Sequence, residues 1–311
     1  MPELPEVETV RQGLEPFVRG AMVANVSVFR ASAVRLLLGG EREFEAHVRG
    51  AVLDGAVRRG KFLWMPLREH HAHTGFSLSA HLGMSGQFRV HRGPWHHAPE
   101  PHSHCRVRLS LEASGEQFTL DFLDQRTFGY LHAERMLPTA DGLPGGHGSE
   151  WASVPASGAH IGRDALDPAW EAGEASAVWR RGTRGIKQVL LDQTRISGIG
   201  NIYADEALWH ARIHPQQAAA SLTRPAAGRL FHAVRSVMES ALAQGGTSFD
   251  ALYVNVNGES GYFSRDLVAY GQAGNACARC GVTIARAVIG GRSTHWCPRC
   301  QRLPRTRAQT S

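Results

Sequence analysis

Lysine is almost missing from this 311-residue chain. Of its 34 basic residues only Lys61 and Lys187 are lysine, and the rest are arginine. The sequence also has no apolar run of transmembrane length, and its N-terminus lacks the basic-then-apolar layout of a secretory signal. A membrane-spanning or exported protein is therefore not expected, and the expected location is the cytosol. Cysteine is scarce as well. Five cysteines in a reducing compartment argue against a disulfide scaffold. Four of them fall into two pairs, and the fifth, Cys105, reads as a buried strand residue.

These absences give weight to what remains. Arginine is effectively always protonated, whereas lysine can give up its proton when its pKa is lowered. A lysine that persists against this bias is a candidate for chemistry arginine cannot do, although chance survival on the surface leaves the same trace. Lys61 follows Arg58-Arg59-Gly60 and precedes Phe62-Leu63-Trp64, a basic turn entering an apolar strand. Lys187 lies in Gly185-Ile186-Lys187-Gln188-Val189-Leu190, a helical pattern.

Charge is unevenly spread around a formal +6. From Trp179 onward there are 17 basic and 7 acidic residues, and before it 17 basic and 21 acidic. A basic C-terminal half suits a polyanionic partner, and a merely solvated basic surface has the same composition. With 42% hydrophobic residues the chain can build a substantial core, and its length predicts two or three domains.

The first third reads as short apolar or alternating runs at 21–29, 52–57, 62–65, 76–81, 87–90, 105–111 and 117–122, which predict a two-sheet sandwich. The stretch 139–160 is rich in Gly, Pro, Ala and Ser and reads as a linker. Helical patterns follow at 186–193, 202–209 and 225–242. Between the first two, Ile196-Ser197-Gly198-Ile199-Gly200-Asn201 predicts a tight turn with Asn201 as helix N-cap. Such a helix start suits a phosphate, and it equally suits plain capping. Histidines cluster at 70, 71, 73 and at 96, 97, 102, 104 without clean metal-ligand spacing, and read as solvated loop residues.

The opening Met1-Pro2-Glu3-Leu4-Pro5-Glu6 places a proline where removal of Met1 would expose a secondary amine. Such an amine has an ordinary pKa of about 8. Leu4, Val7, Val10, Leu14 and Phe17 recur at helical spacing behind it, so a helix dipole would lower that pKa. A neutral amine there could attack an electrophilic carbon and form a Schiff base, with Glu3 as neighbouring acid or base. The same residues also read as an ordinary proline-rich helix start. Near the C-terminus, Cys277-Ala278-Arg279-Cys280 and Cys297-Pro298-Arg299-Cys300 are two knuckles sixteen residues apart. That spacing fits one tetrahedral structural Zn2+, with the intervening segment as a hairpin carrying Arg292 after Gly290-Gly291. A hairpin held rigid by a metal suits an arginine aimed at a phosphate.

Together these segments resemble the bacterial formamidopyrimidine-DNA glycosylases. The carriers, in order, are Pro2-Glu3-Leu4-Pro5-Glu6, Arg59-Gly60-Lys61-Phe62, His81-Leu82-Gly83-Met84-Ser85-Gly86, Asp124-Gln125-Arg126-Thr127-Phe128-Gly129, Gly198-Ile199-Gly200-Asn201-Ile202-Tyr203-Ala204-Asp205-Glu206, Gly261-Tyr262-Phe263, and the cysteine knuckles with Arg292. The resemblance implies an α+β multidomain fold. An N-terminal β-sandwich with flanking helices (1–138) and a linker (139–160) precede a helix-two-turn-helix domain (161–262) and a zinc β-hairpin (263–311), with DNA between the two halves. It implies a bifunctional DNA glycosylase and AP lyase of base excision repair, acting on oxidised purines in damaged double-stranded DNA, as a monomer associated with the nucleoid.

By motif, Pro2 is the expected nucleophile at C1′ and Glu3 the acid that assists ring opening. Lys61 and Arg292 are expected to assist the β- and δ-eliminations. Met84, Arg126 and Phe128 are expected to fill the gap left by the flipped base. His102, Asn201, Arg181 and Lys187 are expected DNA contacts. The chain departs from the family pattern at Gln125 and Thr127, where proline and arginine are usual. Two other readings share parts of the pattern: an endonuclease VIII-like enzyme for oxidised pyrimidines, and a non-catalytic binder of damaged DNA or RNA. The leucine and proline after Glu3 and the long segment 250–261 favour the purine branch. Intact Pro2, Glu3 and Lys61 argue against a silent binder.

Overall fold

The computed structural model of the chain describes residues 2–69, 72–246 and 266–304. The segment 250–261 and the Gly261-Tyr262-Phe263 motif lie outside these residues, as do His70, His71 and the His73 side chain. The chain forms two compact units, residues 1–160 with 244–262 and residues 161–243 with 263–311.

The first unit opens with helix α1 (Leu4–Val18). Its apolar positions fall three or four residues apart, so Leu4, Val7, Val10, Leu14 and Val18 bury one stripe. Strand β1 (Arg19–Val28), a 3-10 turn (Ala31–Val34) and helix α2 (Gly40–Val48) follow. Then come β2 (Val52–Asp54), β3 (Val57–Arg59), β4 (Phe62–Glu69), β5 (Ala72–His81) and β6 (Gly86–Arg92). β7 (Cys105–Ala113), β8 (Glu116–Asp124), β9 (Tyr130–Pro138) and β10 (Ser153–Pro155) complete the unit. The run predicted at 52–57 is two strands, because Gly55 turns the backbone through a φ of +92° between them. β9 was not foreseen from the sequence.

These strands pair antiparallel in one hydrogen-bonded path, β10-β9-β5-β4-β2-β1-β7-β8-β6, with β3 on β4. Two bulges in β1, at Arg19/Ala21 and Val23/Asn25, interrupt the register in the middle of that path. One core holds apolar residues from both arms, Leu63, Met65 and Leu78 from one and Leu109, Leu120 and Phe122 from the other. Helix α1 packs against β4 and β3 as well as β6 and β7, so the helix is held by both arms.

The expected linker 139–160 is instead part of this unit. β10 pairs with β9, and the backbones of Arg58 and His147 exchange two hydrogen bonds, of 3.0 and 2.8 Å. Its glycines serve close packing. A Cβ on Gly145 would lie 1.8 Å from the Ser153 carbonyl oxygen, and one on Gly146 2.4 Å from that of Arg58. Buried Glu134 anchors the far end, accepting from Ser157 N–H and Oγ at 2.7 Å each. Glycine content marked tight backbone approach here, where a linker was expected.

The second unit contains α3 (Ala172–Trp179), α4 (Ile186–Leu190), α5 (Asn201–Ala211), α6 (Arg224–Ala243) and the hairpin β11 (Ala285–Ile289)–β12 (Arg292–Trp296). The helices and the hairpin, expected as two domains, fall in one compact unit. Trp209 of α5 shares a core with Ala269, Ile284 and the cysteines 277 and 297, so helices and hairpin are one body.

Candidate functional site

At the start of α1, Glu3 is the N-cap and forms a capping box with Glu6. The Glu3 N–H donates to Glu6 Oε2 at 2.8 Å, and the Glu3 side chain accepts the Glu6 N–H. Both carboxylates are buried. Pro2 precedes them, half-buried, at the positive end of a fifteen-residue helix. That placement puts the Pro2 nitrogen in the positive field at the helix start. Glycine 246, at a φ of +87°, brings the chain after α6 against Glu6, where a Cβ would lie 3.0 Å from Glu6 Cγ.

Lys61 stands at the tip of the β3–β4 hairpin. Arg59 pairs with Phe62, so Gly60-Lys61 is a two-residue turn, and Gly60 supplies the positive φ of +56° that such a turn requires. A buried ion cluster ties this turn to α1. Glu8 accepts from Arg58 Nε at 2.7 Å and from Arg11 Nε at 2.9 Å, and Arg58 Nη1 donates onward to the Gly60 carbonyl at 3.3 Å. Burial alone would raise the Glu8 pKa, but hydrogen bonds and charge from Arg11 and Arg58 hold it below the usual carboxylate value. The catalytic candidates of this unit are thus carried by a helix end and a hairpin tip that share one ion cluster. Glu6, Glu8 and Arg58 were not singled out in the sequence. The spacing of Glu3 and Glu6 is the one signal that pointed to a capping box.

Met84, Arg126 and Phe128 come together on two neighbouring loops. Met84 and Phe128 are 46% and 55% exposed, unusual for large apolar side chains, and Arg126 Nη1 lies 3.9 Å from Met84 Sδ. The exposed His102 belongs to the same edge. Its neighbour His104 accepts the Asp124 N–H at 2.9 Å, and Arg106 Nε donates to the Asp124 carbonyl at 2.7 Å. His102 Nδ1 accepts the His104 N–H at 3.1 Å. Cys105 lies buried in β7, where burial and the Asp121 charge push its thiol up to about 12, which fits a structural residue.

In the second unit the N-cap of α5 is Gly200, and Asn201 is the first helical residue. Its Nδ2 donates to the Ser293 carbonyl of the hairpin at 2.8 Å. Asn201 therefore braces the hairpin, which corrects its expected capping role. Lys187 departs further from expectation. It is 1% exposed, and its ammonium donates to Asp205 Oδ1 at 2.6 Å and to Ser293 O and Thr294 Oγ1 at 2.9 Å each. An ammonium has three protons, and these three acceptors take them. A direct DNA contact by Lys187 does not fit this interior placement. Asp205 Oδ2 accepts the His295 N–H at 2.9 Å, so one buried carboxylate joins α4, α5 and β12.

Arg292 is exposed. Ile289 pairs with Arg292, and Gly290-Gly291, with φ of +59° and +75°, form the turn between them. The arginine is the first residue of β12, one step behind the tip. Arg181 is exposed too, and its carbonyl accepts from Arg195 Nη1.

The four paired cysteines have their sulfurs within 4.8 Å of one another, and Cys280 and Cys297 Sγ are 3.5 Å apart. A tetrahedron with Zn–S of about 2.3 Å needs sulfurs about 3.8 Å apart, so the set fits zinc. The four thiols do not share one environment: burial and the neighbouring sulfurs push the Cys297 thiol up to about 12 and raise that of Cys300 as well. The Cys300 N–H points at Cys297 Sγ at 3.4 Å. Burial would raise the Cys277 thiol, but the N–H groups of Arg279 and Cys280 and the Trp209 indole bring it down to about 6. Gln301 locks the second knuckle by accepting the Cys297 N–H and donating to the Ile213 carbonyl. Arg279 lies 3.7 Å above the Trp209 ring, closing the first.

Comparison with known proteins agrees with this arrangement. The formamidopyrimidine-DNA glycosylase N-terminal domain matches residues 1–131, the formamidopyrimidine-DNA glycosylase H2TH domain residues 161–251, and a zinc finger found in FPG and IleRS residues 274–303. A formamidopyrimidine-DNA glycosylase of Leifsonia xyli is 48% identical over 305 residues, 97% of this chain and 100% of the relative. One of a Nocardioides species is 49% identical over 311 residues, 100% of this chain and 98% of the relative. Among solved structures, Lactococcus lactis Fpg in complex with abasic-site DNA has a TM-score of 0.74 at 28% identity, over 96% of this chain and 99% of that one. The MutM (Fpg) protein of Thermus thermophilus has a TM-score of 0.74 at 34% identity, over 98% and 100%.

Proposed function

The chain belongs to the formamidopyrimidine-DNA glycosylase family, and on that premise we propose that Pro2 is the nucleophile of a DNA glycosylase with AP lyase activity that removes oxidised purines. The enzyme serves base excision repair and holds one structural zinc ion in its hairpin. Its partner is damaged double-stranded DNA, on which it acts as a monomer. Among the described residues no helix is long and apolar enough to cross a membrane. The bacterial cytosol is the proposed location.

The observation that carries the reading is Pro2 at the dipole end of α1, directly before the buried capping pair Glu3 and Glu6. The neutral secondary amine attacks C1′ of the flipped nucleotide. Its lone pair forms the N–C1′ bond, the bond to the damaged base breaks and the amine's proton leaves with the base, and Glu3 then protonates O4′ as the nitrogen lone pair opens the sugar ring. The product is an iminium ion, which acidifies C2′. Loss of a C2′ proton expels the 3′ phosphate, and a second elimination expels the 5′ phosphate. Lys61, on its hairpin tip, assists the first elimination, and Arg292 binds the lesion phosphate for the second. Met84, Arg126 and Phe128 occupy the vacated stack, offsetting an unstacking cost of a few kcal/mol. His102 and Arg181 contact the DNA backbone. Asn201 and Lys187 act through the hairpin they brace.

Borohydride reduction in the presence of abasic DNA tests the assignment, because it fixes the iminium as a covalent adduct. Wild-type protein should be trapped. Protein with one residue retained before Pro2, whose nitrogen is then an amide, should give neither adduct nor strand scission. Full trapping by a chain with a proven blocked N-terminus would remove Pro2 from the mechanism.

A further inference from the structure

The segment between Arg126 and Phe128 contains a conformation its sequence does not favour. Thr127 has a φ of +57°. A β-branched residue rarely adopts the left-handed region, and it does so only where the surroundings hold it there. One side chain reaches both ends of that segment. Asp124, 1% exposed, accepts the Arg126 N–H on Oδ1 at 3.2 Å and the Gly129 N–H on Oδ2 at 2.6 Å. The two oxygens of a single carboxylate thus pin both ends of the strained segment.

The same carboxylate reaches the second loop. Ser85 Oγ donates to Asp124 Oδ1 at 2.5 Å and accepts the Arg126 N–H at 3.1 Å. The two loops also meet backbone to backbone. A Cβ on Gly83 would lie 2.8 Å from Gly129 N and 2.9 Å from the Phe128 carbonyl carbon, and one on Gly129 2.8 Å from the His81 oxygen. From the far side Arg35 donates to the Phe128 and Gly129 carbonyls at 3.0 Å each.

We propose that Asp124 is a positioning residue that holds Met84, Arg126 and Phe128 in one fixed arrangement for filling the space of an extruded nucleotide. It does so against the strain at Thr127. The proposal rests on the gap-filling reading of those three residues. Fixing exposed side chains before DNA arrives lowers the ordering cost of inserting them. The carboxylate itself is buried and touches no reacting group.

Asp124→Asn separates its two halves. The amide oxygen can still accept from Ser85 and Arg126, but the amide nitrogen faces the Gly129 N–H, donor against donor. In full-length, zinc-loaded protein, excision of 8-oxoguanine from a duplex should fall about 10-fold or more, the scale of a lost buried hydrogen bond to a charged group. Lyase action on a preformed abasic site in a single strand, where there is no gap to fill, should stay near the wild-type rate. Adding Thr127→Asn, which tolerates a positive φ, should restore part of the duplex rate. Met84→Ala/Phe128→Ala serves as the control and should lose duplex excision.

If D124N leaves duplex excision intact while the control loses it, Asp124 is not the positioning residue and the gap-filling reading stands. If D124N slows both substrates equally, its role is merely structural and the proposal is overturned. If the control keeps full duplex excision, the gap-filling reading fails and takes the proposal with it. Thermal melting checks each variant's fold. Should D124N fail to fold, Ser85→Ala, which removes the serine's bonds to Asp124 and Arg126 and keeps the Gly129 contact, carries the same comparison.

Discussion

Each unit fixes a basic residue near a hairpin turn by means of one buried carboxylate on a helix, and the two units do it differently. In the first, Glu8 of α1 pairs with Arg58 and Arg11, and Arg58 reaches the Gly60-Lys61 turn. In the second, Asp205 of α5 pairs with Lys187 and holds His295, while Lys187 and Asn201 grip Ser293 beside Arg292. The first cluster uses guanidinium groups, which are always charged and share a carboxylate through forked donors. It also has an edge near solvent, where His147, half exposed, lies 3.6 Å from Glu8. The second is sealed and depends on one ammonium. Buried ion pairs specify geometry more than they add stability, and losing one partner is costly because the other charge is stranded. The sealed cluster should therefore be the more brittle.

Metal removal should produce the largest difference between the units. Cys297→Ser should release zinc, unravel the hairpin and abolish DNA binding, because the thiolates share the Trp209 core and the metal supplies folding energy there. The first unit should keep its fold. Metal analysis with circular dichroism checks this, and loss of both units together would break the comparison.

Next in size is Lys187→Met, which strands Asp205 and should cost about 3–5 kcal/mol of stability. Lys61→Met, at a hairpin tip, should leave the melting temperature nearly unchanged and lose strand scission. A similar melting loss in both variants would show that the two lysines are not divided between architecture and chemistry.

Acid should separate the units by sign. The folded Glu8 pKa is depressed, so its contribution is present above the ordinary value of 4.5 and is lost as pH falls through the depressed one. Glu206 of α5 behaves oppositely. Burial, which outweighs three backbone N–H donors from residues 268–270, raises its pKa, with Asp205 adding to the rise. Its contribution is present below 4.5 and is lost as pH rises through the raised value. Amide exchange across α1 and across 268–270 should show opposite pH slopes around these values. Equal slopes would contradict the assignment.

The smallest effect is expected from Arg292→Ala. Its side chain is exposed, so stability should not change, and the salt slope of DNA binding should become shallower by about 1. Binding isotherms at several salt concentrations decide it, and an unchanged slope would remove Arg292 from the phosphate contacts.

Local chemistry made much of this protein legible in its sequence. Helix α1 follows from its apolar spacing, the hairpin tip from Gly60, and the metal set from two cysteine pairs, because each depends on residues close along the chain. The exposure of Met84 and Phe128 was legible only through the family resemblance. Long-range packing decided the rest. The scarcity of lysine singled out Lys61 and Lys187 alike, and only the fold separated a tip from an interior brace, since burial is set by what other segments cover. The glycines of 139–160 looked like a linker and proved to be sites of backbone contact, because a sequence cannot tell freedom from crowding. Asp124 read as one acidic residue in a turn. Its role as the common anchor of two loops exists only once Ser85, 39 positions earlier, is brought against it.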